Sequence, residues 1–517
     1  MAIDAESPDN ASLRKALGEG DPLRIRALVK QGADLHYRDA HGYGALLDAI
    51  HSRDVFIDPR LPELIRLLVE HRVDLNQVSS HGESGLSVLS RLGRFDGVQQ
   101  LLAAGADESQ LGWTPLIRAV ALGTLDDVRC LLDGGAPLEE RDAWSRTAWL
   151  VALQLGDLAK ALLLAERGAD LEAVGRCGKP PLFYPIACRR MATLRWLVDL
   201  GFDIERTDDF GGTALLEAAE VGWEEGVDVL VKAGARLEHE HHGSTALGVA
   251  RTRGIIIRLL DAGADPRRLG NEGRRILMGL PSEPDIRPLE DVSQADFLRA
   301  RTRRYGVANP ERMEEPFWVA MIHSGEGGFM ANEHLHGPSS FDGDPVWSAQ
   351  RFGQSLTVLP DGRMVLIGGE HEDSYDPEFC IYNDVFVREI DGSISLLGYP
   401  ESVFPPTDFH TATLVAGAIY IIGSLGYPER REHGRTPVYR LELGTWRIDR
   451  VEPTGPCPGW IHGHRATRVG EHGILVTGGT VRVREGEEEV GRPNGEGFVL
   501  DVQALAWRPK GSSGSGA

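Results

Sequence analysis

The chain has 517 residues, more than one hydrophobic core normally organises, so two or more domains are expected unless a repeat extends the fold. Its 77 acidic and 55 basic residues leave a formal net charge of −22, which disfavours nucleic acid or an anionic membrane as the partner. Apolar runs stay below the roughly 18 residues of a membrane-spanning helix. Five cysteines are scattered without a CxxC pair, which predicts a cytoplasmic protein. Few of the basic residues are lysines, which predicts a bacterial source with a GC-rich genome.

Residues 10–280 follow a repeat with a period near 33 residues. The segment Gly-Ala-Asp-Leu, or a close variant, begins at eight positions: Gly32, Arg72, Gly105, Gly135, Gly168, Gly201, Gly234 and Gly263. Such a period indicates units that carry too little core to fold alone and that stack on their neighbours. It predicts a solenoid of about eight units, with terminal caps in residues 11–35 and 271–280. A longer loop is expected around residues 53–61.

The clearest unit predicts a helix, a turn and a second helix. Thr114 suits a helix N-cap and Pro115 a first helical residue. Gly123 is expected to stop the first helix in a left-handed conformation, and Gly135 to stop the second. A link of extended backbone then leads into the next unit.

This unit resembles the ankyrin repeat, whose hallmark is a Thr-Pro-Leu-His-x-Ala segment followed by Gly-Ala-Asp. Residues 114–119 and 213–218 carry the pattern, although Ile117 and Leu216 replace the usual histidine. The resemblance implies an all-α solenoid that presents its turn tips and first helices on a concave face. It also implies a protein or peptide partner.

Large side chains at the predicted tips are the candidate binding residues. Interface hot spots are rich in aromatic residues and arginine, and the tips hold Tyr37, Tyr43, Trp113, Trp144, Arg176 and Phe210. The alternative is that several of these side chains only pack against the neighbouring tip.

Residues 281–314 are interpreted as a linker that is rich in proline and arginine. A short helix is expected over residues 293–305. Its arginines form a solvated face or contact the acidic body of the protein, with a partner-docking site as the alternative: Arg299, Arg301, Arg303 and Arg304.

Residues 315–510 predict a β domain of three similar units. Residues 364–369, 418–423 and 473–479 are apolar runs that end in glycine, and each has further predicted strands before and after it. Four strands in about 50 residues, with a double glycine and a late tryptophan, resemble the kelch repeat of β-propellers. Residues 511–517 are expected to be a flexible tail.

Three kelch-like blades are too few to close a ring, because propellers have about four to eight. Strands within residues 316–347, such as 317–322, could complete the fold. The preferred interpretations are a partial, open propeller or a homodimer in which two chains close one six-bladed ring.

Four histidines are candidate metal ligands: His371, His410, His462 and His464. The kelch resemblance places strand-one starts and strand-two ends at one mouth, where carboxylates of residues 370–378 also lie. Imidazole with carboxylate suits Zn, Fe or Cu. The alternative is that these histidines make structural hydrogen bonds.

The sequence therefore predicts an ankyrin solenoid followed by an all-β kelch-like domain. The leading functional interpretation is a protein–protein interaction scaffold or adaptor without catalytic turnover, with the kelch-like domain as a second binding or dimerisation surface. The alternative is a metalloenzyme, an oxidoreductase or hydrolase, whose substrate is recruited by the ankyrin repeats.

Overall fold

A computed structural model describes residues 8–51, 58–338, 344–372 and 379–511. The chain divides into two compact units, Met1–Ala264 and Asp265–Ala517. Most of the predicted longer loop around 53–61 and of the tail 511–517 lies outside the described residues, as do residues 373–378. In the part that is described, no helix combines the length and the apolar character needed to cross a membrane.

The first unit is helical. Its α-helices within the described ranges are α1 (Pro8–Gly18), α2 (Pro22–Lys30), α3 (Ala45–Ile50), α4 (Leu61–Glu70), α5 (Gly85–Arg91), α6 (Phe95–Ala103), α7 (Pro115–Leu122), α8 (Leu125–Asp133), α9 (Ala148–Leu155), α10 (Leu158–Glu166), α11 (Phe183–Ala187), α12 (Met191–Asp199), α13 (Ala214–Glu220), α14 (Glu224–Lys232) and α15 (Arg253–Asp261). They follow one another as short pairs, and α15 is preceded only by a turn over residues 246–249. The first unit is therefore a helical repeat solenoid.

The caps of the fourth pair follow from its sequence, with one exception. The Thr114 hydroxyl accepts a hydrogen bond from the Ile117 amide at 3.2 Å, and Pro115 opens α7. Gly123, however, is extended (φ −91°, ψ −175°) and not left-handed as expected. The next residue, Thr124, is also extended and caps α8.

Backbone hydrogen bonds join consecutive turn tips. The Arg176 amide donates to the Trp144 carbonyl at 3.1 Å, and the Asp209 amide donates to the Cys177 carbonyl at 3.0 Å. Because each bond joins equivalent positions of neighbouring units, it holds the stack in one register. Residues 33 positions apart in sequence are therefore neighbours on one face.

The second unit begins with helices and continues as β structure. Its α-helices among the described residues are α16 (Asn271–Met278), α17 (Arg287–Glu290), α18 (Gln294–Ala300), α19 (Pro316–Ser324) and α20 (Gly328–His334). Its strands are β1 (Glu311–Met313), β2 (Ser355–Val358), β3 (Met364–Ile367), β4 (Glu370–His371), β5 (Cys380–Ile381), β6 (Val385–Arg388), β7 (Ile394–Gly398), β8 (Thr411–Val415), β9 (Ala418–Ile422), β10 (Val438–Glu442), β11 (Ile448–Val451), β12 (Trp460–His462), β13 (Arg465–Val469), β14 (Gly473–Thr477), β15 (Thr480–Glu485), β16 (Glu488–Pro493), β17 (Phe498–Asp501) and β18 (Ala506–Pro509).

Three antiparallel sheets form the body of the second unit. The first has the order β1-β7-β6-β3-β2, the second β11-β10-β9-β8, and the third β13-β14-β17-β18. Strands β12, β15 and β16 form a smaller sheet, and β4 pairs with β5. The described strands form open sheets, with no closed barrel or propeller among them.

Apolar side chains on facing sides join the three sheets in chain order. Val365 of the first sheet and Ile419 of the second belong to one buried cluster. Tyr420 of the second sheet and Ile474 of the third belong to another. Successive side chains of β9 point to opposite faces of the sheet. Its odd-numbered residues therefore belong to the first cluster and its even-numbered residues to the second.

The region considered for an additional strand is helical. Residues 317–322 lie in α19, which begins at Pro316. A short apolar run does not distinguish a buried strand from a buried helix by periodicity. Here Pro316 opens the helix in the first-turn position that proline favours, and Trp318 stacks on Trp347 with ring centroids 5.2 Å apart.

The arginines of the predicted linker contact other groups of the second unit. The helix found there is α18, capped by Ser293, and is shorter than expected. Arg301 is buried and donates to the Asn332 side chain at 3.2 Å. The other three interact with Asp296 and Glu315, with the Ile381 carbonyl, and with Glu311: Arg299, Arg303 and Arg304.

The helical geometry of α19 makes a testable distinction between two positions. Val319 is 43 % exposed, whereas Met321 is fully buried. In a strand the two would share a face, but in a helix they do not. We expect Met321→Asp to lower the free energy of unfolding by at least about 3 kcal/mol, because it buries an unpaired carboxylate. Val319→Asp should change it by less than about 0.5 kcal/mol; equal effects in urea unfolding would contradict the helix.

Candidate binding groove on the repeat stack

A groove of about 380 Å³ lies on the first unit. Its walls come from the end of α5, from turn tips and from first helices of later pairs. Three of the six predicted tip residues line it: Trp144, Arg176 and Phe210. We call this region the groove.

The repeat period explains why these residues meet. Trp144, Cys177 and Phe210 are spaced 33 residues apart and occupy equivalent tip positions. Tyr184 of α11 and Glu217 of α13 are also 33 apart, and all five line the groove. The tips therefore form one row and the first helices a second row beside it.

Trp144 is held in place by three neighbours. Its indole Nε1 donates to the Ser87 carbonyl at 2.8 Å. The guanidinium carbons of Arg91 and Arg176 lie 5.3 Å and 5.1 Å from its ring centroid, within cation–π range. The indole is thus fixed with two positive charges beside it.

A buried polar network supports the same wall. The Arg146 guanidinium pairs with the Asp142 carboxylate at 2.6 Å and donates to the Ser90 carbonyl at 2.7 Å. It also bonds the Gln154 side chain, whose amide donates to the Arg91 carbonyl at 2.8 Å. Residues of α5 are thereby tied to residues 142–154, although one complete helix pair separates them in sequence.

The groove also contains an ion pair between Lys179 and Glu217. Lys179 Nζ lies 3.4 Å from Glu217 Oε1 and 5.7 Å from the Phe183 ring centroid. Burial raises the pKa of the Glu217 carboxyl, and the neighbouring Lys179 charge opposes that rise. Phe210, by contrast, is 60 % exposed.

The other three predicted tip residues contact side chains of the first unit, outside the groove. The Tyr37 hydroxyl donates to Asp48 at 2.6 Å, and the Tyr43 hydroxyl donates to Glu83 at 3.3 Å. Trp113 packs against Phe95, with ring centroids 6.2 Å apart. None of the three lines the groove.

Several groove residues are not among the sequence-based candidates, including Arg91, Lys179, Tyr184 and Glu217. The sequence-based candidates lie on the turn tips, whereas Tyr184 and Glu217 lie on first helices. The 33-residue spacing of Tyr184 and Glu217 is a signal that could have found two of them. Arg91 could not be found in this way, because it reaches the groove through a contact outside the regular stacking.

The buried Arg146 network gives a second prediction. Removing one member of a buried ion pair leaves an uncompensated charge, which costs about 3–5 kcal/mol. We expect Arg146→Met to lower the free energy of unfolding of the repeat unit by about this amount, since the Asp142 carboxylate is fully buried.

The matched control for this prediction is Arg129→Met. Arg129 pairs with Asp126, whose side chain is 88 % exposed, so the change should cost less than about 0.5 kcal/mol. Circular dichroism during urea unfolding measures both variants. Equal stability of the two would show that the network does not support the wall.

Three of the four candidate metal ligands, His371, His410 and His464, form side-chain hydrogen bonds within the second unit. His410 Nε2 lies 2.7 Å from the Ser355 hydroxyl, and His464 Nε2 lies 2.8 Å from the Thr411 hydroxyl. The first bond joins the start of β2 to the residue before β8, and the second joins the start of β8 to the residue before β13. His371 Nδ1 lies 2.9 Å from the Gln350 carbonyl.

Guanidinium groups approach the same region. Arg274 Nη1 lies 3.1 Å from the Gln354 side-chain oxygen, and Arg267 Nη1 lies 3.2 Å from the His464 carbonyl. Burial lowers the pKa of His410 and of His464 to about 3, so both imidazoles are neutral. Burial likewise lowers the pKa of His462 to about 4. Among the described residues, no group of three or more His, Cys, Asp or Glu side chains is arranged to hold a metal ion.

The buried histidines predict a dependence of stability on pH. The His464 pKa in the folded protein is below the value of about 6.5 in an unfolded chain, so its contribution is present above pH 6.5 and is lost as the pH falls. Between pH 7 and pH 5 the loss amounts to about 2 kcal/mol. We expect His464→Asn to remove this loss of about 2 kcal/mol from the pH dependence of the free energy of unfolding. Urea unfolding at each pH measures the free energy, and hydrogen exchange of the β8 and β13 amides shows that the effect lies in these strands.

Two comparisons make this measurement specific. His472→Asn is the control, because the His472 side chain is 34 % exposed. Glu370 acts with the opposite sign: burial and Asp408 raise its pKa to about 7, so its contribution is lost as the pH rises. Since both variants retain Glu370, that contribution cancels. An identical pH dependence in the two variants would contradict a neutral His464.

Comparisons with known proteins agree with the repeats. Residues 86–175 match a family model described as ankyrin repeats, in three copies. Ankyrin repeat domain-containing protein 63 of Mus musculus is 37 % identical over 124 residues, which cover 22 % of this chain and 31 % of that protein. The B-cell lymphoma 3 protein homolog of Mus musculus is 32 % identical over 170 residues, covering 31 % of this chain and 38 % of the relative.

The chain thus spans about a third of the length of these curated relatives. Among solved structures, the human ASB11 ankyrin repeat domain aligns at 19 % identity with a TM-score of 0.22, covering 50 % of this chain and all of that one. The family match and the sequence relatives show that this chain contains ankyrin repeats.

Proposed function

We propose that this chain is an interaction protein whose ankyrin repeats bind a peptide segment of a protein partner in the groove. The observation that carries the proposal is the exposed Phe210, in one row of tips with Trp144. A concave site with aromatic side chains and a few polar groups is the usual form of a binding pocket. Exposed aromatic side chains beside arginine are also typical of interface hot spots.

The groove is suited to binding because its walls are already ordered. Tip-to-tip hydrogen bonds fix Trp144 and Arg176, and the Arg146 network fixes the α5 wall. Side chains that are ordered before binding lose less conformational entropy when a partner arrives. A short segment can therefore bind here without a large contact area.

For the second unit we propose a kelch-like scaffold that remains open. Three successive antiparallel sheets of five, four and four strands, joined by hydrogen bonds of His410 and His464, support this proposal. Phe386 of the first sheet shares a small cavity with Met278 of α16 and Ile322 of α19. Because these helical residues cover that side, a second copy of the chain is not needed to bury it.

Phe210→Ser tests the groove. We expect twelve-residue peptides selected on the full chain from a random display library to bind this variant at least about tenfold more weakly. The reason is that truncating an aromatic hot spot costs about 2 kcal/mol or more. Isothermal titration calorimetry with synthetic copies of the selected peptides measures the change.

Leu23→Ser is the matched control, because Leu23 of α2 is 76 % exposed and lies outside the groove. It should leave both the affinity and the melting temperature unchanged. Peptides that bind wild type and Phe210→Ser equally well would show that the groove is not the binding site.

A further inference from the structure

We propose that the segment bound in the groove is acidic, with an aspartate or glutamate about three residues from a large apolar side chain. The carboxylate binds at Arg176, and the apolar side chain packs against Phe210. This inference rests on the proposed function, since it names the chemistry of the partner that the groove would bind.

The charge of the groove is opposite to that of the whole chain. The chain carries a formal net charge of −22. The residues that line the groove, however, include the cations Arg91, Arg176 and Lys179 and one carboxylate, that of Glu217. Asp142 neutralises the buried Arg146. A local excess of positive charge within an acidic protein favours a carboxylate in the segment that binds here.

Arg176 is the cation best placed to receive that carboxylate. Lys179 is paired with Glu217 at 3.4 Å, and Arg91 lies 3.6 Å from Glu83. Among the described residues, no carboxylate lies within 4.0 Å of the Arg176 guanidinium, which stacks only on Trp144. A guanidinium held against an aromatic ring keeps its N–H donors free for a planar, two-point bond to a carboxylate.

The tip that carries Arg176 is rigid. The Gly175 amide donates to the Lys179 carbonyl, and the Gly178 amide donates back to the Gly175 carbonyl, each at 3.1 Å. Gly178 is left-handed, at φ +66°, and a Cβ there would lie 2.2 Å from the Asp209 carboxylate. The guanidinium therefore projects from a fixed turn.

The spacing follows from the repeat geometry. Arg176 and Phe210 lie on the tips of consecutive units, and neighbouring helices pack about 8–10 Å apart. An extended chain advances about 3.3 Å per residue. A carboxylate and an apolar side chain that reach both tips are thus about three residues apart.

The proposal is tested with the peptides selected on the full chain. We expect an aspartate or glutamate two to four positions from Phe, Trp, Leu, Ile or Met in most groove-dependent sequences. One selected peptide is then synthesised with its acidic residue and with the corresponding amide, and both are titrated against wild type and Arg176→Gln.

The four affinities form a double-mutant cycle that tests the contact between Arg176 and the acidic residue of the peptide. Arg176→Gln and the amide peptide should each weaken binding about tenfold, and together also about tenfold, because they remove the same interaction. Arg195→Gln is the control, since Arg195 is exposed on α12 outside the groove. It should leave every affinity unchanged.

The outcomes separate this inference from the proposed function. Groove-dependent peptides that lack acidic enrichment, or effects of the two changes that multiply to about a hundredfold, would overturn the inference and leave peptide binding intact. Failure to select any peptide that distinguishes wild type from Phe210→Ser would overturn both. Lysine- or arginine-rich peptides in the selected pool would show that Glu217, and not Arg176, determines the charge of the partner.

Discussion

The groove depends on the buried Arg146 guanidinium. It pairs with Asp142 and bonds α5 through the Ser90 carbonyl. Regular ankyrin stacking joins neighbouring units, but this network joins residues that a whole helix pair separates. Together with the Trp144–Ser87 and Cys188–Leu92 hydrogen bonds, it holds the end of α5 opposite the later tips.

The tip hydrogen bonds supply the second constraint. They convert a sequence period of 33 into a row of side chains, so that Trp144 and Phe210 face the same space. On the tip of residues 175–179, Lys179 pairs with Glu217, whereas Arg176 stacks on Trp144.

The sequence predicted the parts of this protein that depend on local pattern. Thr114, Pro115 and the 33-residue period defined the helices, and apolar runs ending in glycine defined the sheets. It did not predict α19, because an apolar stretch such as 317–322 suits a buried helix as well as a strand. It placed Trp144, Arg176 and Phe210 among the candidates, but not Arg91, whose place depends on a long-range contact. Tyr37, Tyr43 and Trp113 show that an aromatic tip residue can equally be needed for packing.

The histidines of the second unit illustrate the same distinction between composition and surroundings. His410 and His464 recur at equivalent strand starts, and this recurrence suits a metal site as well as a repeated structural bond. Their surroundings favour the structural bond: each imidazole joins two sheets through a hydroxyl group, and the guanidinium groups of Arg267 and Arg274 lie nearby. Positive groups repel a divalent cation, whereas a neutral imidazole remains stable beside them. These histidines therefore hold successive sheets together in the way that tip hydrogen bonds hold successive ankyrin repeats.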